Sequence, residues 1–139
     1  MACLYASVLK EETGIVMQTI LIVDDETSFL DILQIVLQRA GFKTIVTTNG
    51  REGLDLVYQE RPDLVVLDDM LPGISGADIC MTLKNDPQVS FIPVILYSAG
   101  PRVRDQAFIR QIGATAALSK PFKPKEVVQL VTSCLAAPV

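Results

Sequence analysis

From Gln18 onward, short runs of apolar and β-branched residues alternate with stretches whose apolar positions recur every three or four residues. Thr19 to Val23 and Leu64 to Leu67 are continuous apolar runs, the pattern of strands covered on both faces. Phe42 to Thr47, Pro93 to Tyr97 and Thr115 to Ser119 read as three further strands. Between the strands, Leu30, Leu33, Leu37 and Ala40 predict a first helix, with Gly41 as its stop. A second helix is predicted over Gly50 to Glu60, with Leu54, Val57 and Tyr58 inward and Pro62 beyond its end. Ser75 is the predicted cap of a third, which carries Ile79, Cys80 and Leu83 and ends near Asp86 and Pro87. Pro101 opens a fourth that runs to about Gly113. Pro124 starts the last, with Val127, Val128, Val131 and Leu135 as its apolar stripe.

Strands that alternate with helices in this way build an α/β fold, an open parallel sheet doubly wound by helices on both faces. Right-handed crossovers and a flavodoxin-like strand order 2-1-3-4-5 are expected, with ligands bound outside the carboxyl ends of the strands. The chain shows no internal repeat and no low-complexity segment.

A length of 139 residues suits one compact domain, and a hydrophobic content of 50% supports a core without disulfide or metal staples. Residues 1–17 stand apart as a leader, flexible or a short helix in which Leu4, Val8 and Leu9 share a face; the folded domain is expected over residues 18–139. No secretory signal and no apolar run long enough to span a membrane is recognisable. Twelve basic against 16 acidic residues leave a charge of -4, which argues against direct nucleic-acid binding. The three cysteines are scattered without CxxC spacing, as in a reducing, cytoplasmic setting. The chain has no histidine, which removes the commonest general base and transition-metal ligand. Chemistry here must run on carboxylates, hydroxyls and lysine.

Those groups fall at informative places. Asp24 and Asp25 follow the first predicted strand, Asp68 the third, Ser98 the fourth and Lys120 the fifth. In a parallel sheet all strands end on one edge, and the expected order makes the first and third strands neighbours about 5 Å apart. Crowded carboxylates repel, and a hard divalent cation relieves them; oxygen-only ligands point to magnesium before calcium or zinc. Lys120 and Ser98 add a positive charge and a hydroxyl donor, which suits the equatorial oxygens of a phosphoryl group. One carboxylate can then serve as nucleophile. Taken singly, each feature also fits ordinary turn, cap or loop chemistry; their convergence on one rim carries the argument.

Ile20 to Glu26 (ILIVDDE), Asp63 to Gly76 (DLVVLDDMLPGISG), Pro93 to Ala99 (PVILYSA) and Lys120 to Phe122 (KPF) resemble the signature segments of response-regulator receiver domains. The resemblance covers about Gln18 to Ala136, with the segments in family order. It implies that Asp68 accepts a phosphoryl group from a sensor histidine kinase or phosphotransfer protein in a magnesium-dependent reaction. It further implies that Asp25, Asp68 and the backbone carbonyl of Met70 ligate the metal directly, with Asp24 acting through water. Ser98 and the backbone amide of Ala99 would hold phosphoryl oxygens, Lys120 would pair with the acyl phosphate, and the bond to Pro121 would be cis. Pro72 and Gly76 match residues that shape the loop after the acceptor.

Three features depart from the family pattern or tune it. Asp69 replaces the usual apolar residue after the acceptor and is expected to point into solvent, or else to perturb metal or partner binding. Ala117 stands where many receivers carry a switching Tyr or Phe, so no switch aromatic is present there. Met70 and Gly100 offer no group to orient an attacking water, which implies a long-lived phosphorylated state. The resemblance places output on the fourth helix, fifth strand and fifth helix, a surface that includes Arg102, Arg104 and Arg110. The output partner is expected to be a protein, with the chain a monomer or a phosphorylation-dependent dimer. A stand-alone regulator and a piece of a longer chain fit the sequence equally. Two rivals are an aspartate-nucleophile phosphatase of the haloacid-dehalogenase type, disfavoured because no D-x-D follows the first strand, and a receiver-like scaffold that is never phosphorylated. A flavin-binding flavodoxin fits less well, since acids stand where a phosphate loop should be.

Overall fold

The computed structural model describes residues 17–136. The leader reading for residues 1–17 and the last three positions of the expected domain therefore lie outside the described residues, apart from the exposed Met17. Five parallel strands form one sheet in the order β2-β1-β3-β4-β5: β1 Thr19–Val23, β2 Lys43–Thr47, β3 Leu64–Asp68, β4 Val94–Ser98 and β5 Ala116–Ser119. The helices are α1 Thr27–Arg39, α2 Gly50–Glu60, α3 Gly76–Lys84, α4 Gln106–Ile112 and α5 Pro124–Ala136, with a 3-10 turn at Pro101–Arg104. The strand order and the doubly wound α/β class match the sequence expectation.

The continuous apolar runs form the middle of the sheet because successive side chains there go to opposite, equally buried faces. Leu21, Val23, Val65, Leu67, Val94 and Leu96 face α2, α3 and α4. Ile20, Ile22, Leu64, Val66, Ile95 and Tyr97 face α1 and α5. Leu30, Leu33 and Leu37 close the second core from α1, as Val57 helps close the first from α2.

Several boundaries differ from expectation. The fourth helix is interrupted: the backbone is extended at Asp105, whose carboxylate accepts from the Phe108 amide at 3.1 Å and caps a new helix. A side chain that offers the backbone this alternative partner competes with continuation of the helix. Ala40 is the exposed C-cap of α1 and belongs to neither core cluster. In α5, Leu130 and Cys134 join Val127, Val131 and Leu135 against the sheet, and Val128 lies outside that stripe.

Register then fixes the rim. Val23 pairs with Leu67, so Asp24 and Asp68 leave adjacent strands side by side. Asp68 pairs with Tyr97, and Ser98 with Ser119, the residue before Lys120. Gly76 lets α3 begin hard against the end of β3: a Cβ there would stand 2.2 Å from the Asp68 carbonyl oxygen. Gly76→Ala should therefore lower stability by about 2–3 kcal/mol in denaturant unfolding, as overpacking against fixed backbone does. An unchanged midpoint would mean that α3 can retreat without penalty.

Candidate functional site

Asp24 lies at the centre of the rim and is fully buried. Its Oδ1 accepts from the Glu26 amide at 3.0 Å, and its Oδ2 accepts from Lys120 Nζ at 3.0 Å and from the Tyr97 hydroxyl. Asp68, 2% exposed, accepts from the Met70 amide at 3.2 Å through Oδ1 and lies 3.5 Å from Lys120 Nζ through Oδ2. Asp25 is exposed at the mouth. Asp24, Asp25 and Asp68 each offer one carboxylate oxygen, and the three oxygens lie within 4.8 Å of one another. The sequence-singled acids thus converge, and an all-oxygen set of this size suits a hard divalent cation.

The Lys120 side chain is 4% exposed and also reaches Glu26 Oε1 at 3.4 Å. Its ammonium sits over the rings of Phe29, 4.3 Å away, and Tyr97, 4.6 Å away. Burial alone would lower its pKa, but Asp24, Asp68 and Glu26 outweigh that and raise it, so it stays charged. The Lys120–Pro121 peptide is cis. Ser98 is buried, and its Oγ accepts from the Gly100 amide at 3.0 Å, which leaves the hydroxyl proton to donate elsewhere. Ala99 is exposed beside it, and Met70, 66% exposed, flanks the mouth.

Asp69 does not point into solvent, and that expectation is overturned. Its amide still donates to the Tyr97 carbonyl at 3.2 Å, so the ladder of hydrogen bonds runs one residue past β3 and the side chain turns toward α3. There it is 7% exposed; Oδ1 accepts from the Ala77 amide at 3.0 Å, one of the unpaired donors at a helix start. Oδ2 lies 3.4 Å from Arg102 Nε, and the Arg102 guanidinium stands 4.1 Å over the Phe108 ring. Arg102 is thereby turned to the acceptor loop, whereas Arg104 and Arg110 line a groove of about 720 Å³ along α4, β5 and α5. Ala117 lies in that groove and contributes no ring.

Tyr97, Glu26 and Phe29 were not singled out in the sequence. For Tyr97 one signal was available: a phenol within an otherwise apolar central strand needs a buried partner for its hydroxyl. Among the described residues, no buried side-chain nitrogen or oxygen lacks a partner, and no helix is long and apolar enough to cross a membrane.

Residues 20–132 match the family described as the response regulator receiver domain. The DNA-binding response regulator MtrA of Mycobacterium tuberculosis is 42% identical over 118 residues, 85% of this chain and 50% of MtrA. The polar-differentiation response regulator DivK of Brucella anthropi is 35% identical over 118 residues, 85% of this chain and 96% of DivK. The chain thus spans about half the length of the MtrA relatives and nearly all of DivK. Among solved structures, the signal receiver domain of a histidine kinase from Syntrophus aciditrophicus superposes with a TM-score of 0.78 at 32% identity, covering 86% of this chain and 90% of that one.

Burial, first, and then the neighbouring Asp24 push the Asp68 carboxyl up to about 6, against the smaller pull of Lys120 and the Met70 amide. An acid with a raised folded-state pKa binds its proton more tightly when folded, so stability falls as pH rises from 3.8 to about 6. That shift corresponds to at most about 3 kcal/mol, and solvent at the mouth reduces the expected effect to about 1–2 kcal/mol. In metal-free buffer at neutral pH, Asp68→Asn should stabilise the fold by that amount and flatten the decline between pH 4 and 6. A steeper decline in the variant would contradict the assignment.

Proposed function

The chain belongs to the response-regulator receiver domain family, and from that premise we propose that it is a phosphoacceptor switch of a two-component system with Asp68 as acceptor. The observation that carries this reading is the convergence of Asp24, Asp25 and Asp68 within 4.8 Å, beside a buried lysine 3.5 Å from Asp68. An Asp68 carboxylate oxygen attacks the phosphorus of a phosphohistidine, or of a small acyl phosphate; the new O–P bond forms as the old N–P or O–P bond breaks. The leaving group departs with the electron pair, and the product is an acyl phosphate on Asp68. Lys120 pairs with the negative oxygens of the transferred group, and Ser98 and the Ala99 amide donate to them.

Asp25, Asp68 and the Met70 carbonyl would hold a magnesium ion directly, with Asp24 reached through water. The ion would supply positive charge against the crowded acids and the phosphoryl oxygens. The protein acts as a regulator, catalysing only its own phosphorylation and dephosphorylation. Its donor is a sensor histidine kinase or phosphotransfer protein in the cytoplasm. Its output is contact with another protein, or a second copy, through the groove where Arg104, Arg110 and Ala117 lie. An acidic chain favours a protein over nucleic acid as that partner, and the receiver domain is read over residues 18–139.

Incubation with acetyl phosphate and magnesium should add one acid-stable, base-labile phosphoryl group by intact mass, and Asp68→Asn should abolish it. Catalytic turnover of a phosphate ester without labelling, or no mass gain from any donor, would reject the switch. Asp25→Asn should raise the metal-free melting temperature and lose the magnesium-induced rise, because a ligand stabilises only the state that binds it. Unchanged metal stabilisation would remove Asp25 from the ligand set. With neither Met70 nor Gly100 offering a polar side chain, the phosphorylated form should persist for minutes or longer after the donor is removed; loss within seconds would show that another group orients water.

A further inference from the structure

An ionised carboxylate presents about four lone-pair directions, and the rim acids differ in how many the protein already fills. On Asp24, the Glu26 amide takes one at Oδ1, and Lys120 Nζ and the Tyr97 hydroxyl take both at Oδ2. On Asp68, the Met70 amide takes one at Oδ1, and Lys120 stands at 3.5 Å from Oδ2. Asp25 is exposed and accepts no side-chain or backbone donor among the described residues. Openness to a cation therefore rises from Asp24 to Asp68 to Asp25.

We infer that the Tyr97 hydroxyl is a positioning group that closes Asp24 Oδ2 to direct coordination and so biases the cation site toward magnesium over calcium. The inference rests on the cation site proposed above. With Oδ2 filled and one direction left at Oδ1, Asp24 contributes its charge and one acceptor for a metal-bound water. Few direct carboxylate bonds and several retained waters suit magnesium, which dehydrates reluctantly; calcium gains more from additional or bidentate oxygens. Tyr97 cannot swing aside: it is fully buried, its ring centroid lies 6.3 Å from that of Phe122, and Lys120 sits 4.6 Å above its face. Partners of this kind, which orient a ligand without touching the metal, typically change metal affinity by 10- to 100-fold when removed.

The test is calorimetric titration of the unphosphorylated full chain with magnesium chloride and, separately, calcium chloride at neutral pH. Tyr97→Phe keeps the ring and its packing and removes only the hydroxyl. Its calcium affinity relative to magnesium should rise on the order of tenfold, and Tyr97→Leu should move the ratio in the same direction. An unchanged ratio in Tyr97→Phe overturns the inference, as does a ratio that moves only in Tyr97→Leu, which would assign the effect to the ring. Asp25→Asn separates the two readings. If it leaves both ions bound as in the native chain, the cation site itself is wrong; if it abolishes binding while Tyr97→Phe leaves the ratio unchanged, only the role of Tyr97 fails.

Discussion

One buried ammonium holds the rim together. Lys120 lies within 3.5 Å of oxygens from Asp24, Glu26 and Asp68, with its side chain almost wholly out of solvent. A charge so placed is tolerated only when paired and hydrogen-bonded, and here it stands against three carboxylates, with Asp25 beside them. A single positive charge cannot neutralise that set. The remaining negative potential is the physical property from which the chemistry follows: it favours a dication, and it adds to the burial that, as the larger cause, pushes the Asp68 carboxyl up to about 6. Parallel pairing of β1 with β3 makes this crowding unavoidable, because Val23 and Leu67 are in register and the chain turns acidic directly after Val23 and Leu67.

Much of this was legible in the sequence, and for a definite reason. Strands covered on both faces leave continuous apolar runs, so β1 and β3 could be placed, and the acids at their ends then fell on one edge. Less legible were contacts made between segments far apart in the chain. Period-2 alternation accounts for them once the register is known. Val23 and Leu67 face α2, α3 and α4, so Asp24 and Asp68 turn toward the α1 and α5 side, where Tyr97 and Lys120 are waiting. Asp69, one residue on, turns to the opposite side and meets the start of α3. Its charge suggested solvent, but the open Ala77 amide and Arg102 offered a better-paired place than the sequence pattern could reveal. The break at Asp105 escaped for a related reason, since no Gly or Pro stands between Pro101 and Gly113 and only the capping hydrogen bond to Phe108 marks the interruption.

The rim also reaches the far face of the domain, and it does so without an aromatic at position 117. Ser98 Oγ is held by the Gly100 amide, and the next residues form the 3-10 turn whose Arg102 pairs with Asp69 and covers Phe108 of α4. The acceptor loop is thus tied twice, to β4 by ladder bonding between Asp69 and Tyr97 and to the segment after β4 by the ion pair. A displacement of Ser98 toward an oxygen on Asp68 would break its bond to Gly100 and act on the same short segment that carries Arg102. Because Arg102 is about half exposed, that ion pair contributes little to stability by itself. A weak ion pair of this kind is compatible with the proposed switch, in which an added phosphoryl charge would compete with it. The groove beside Ala117 is lined by Val103 and Arg104 of that segment and by Arg110, so under the proposed switch a change at the acceptor would have to reach it through the backbone, with no ring at position 117 to relay it.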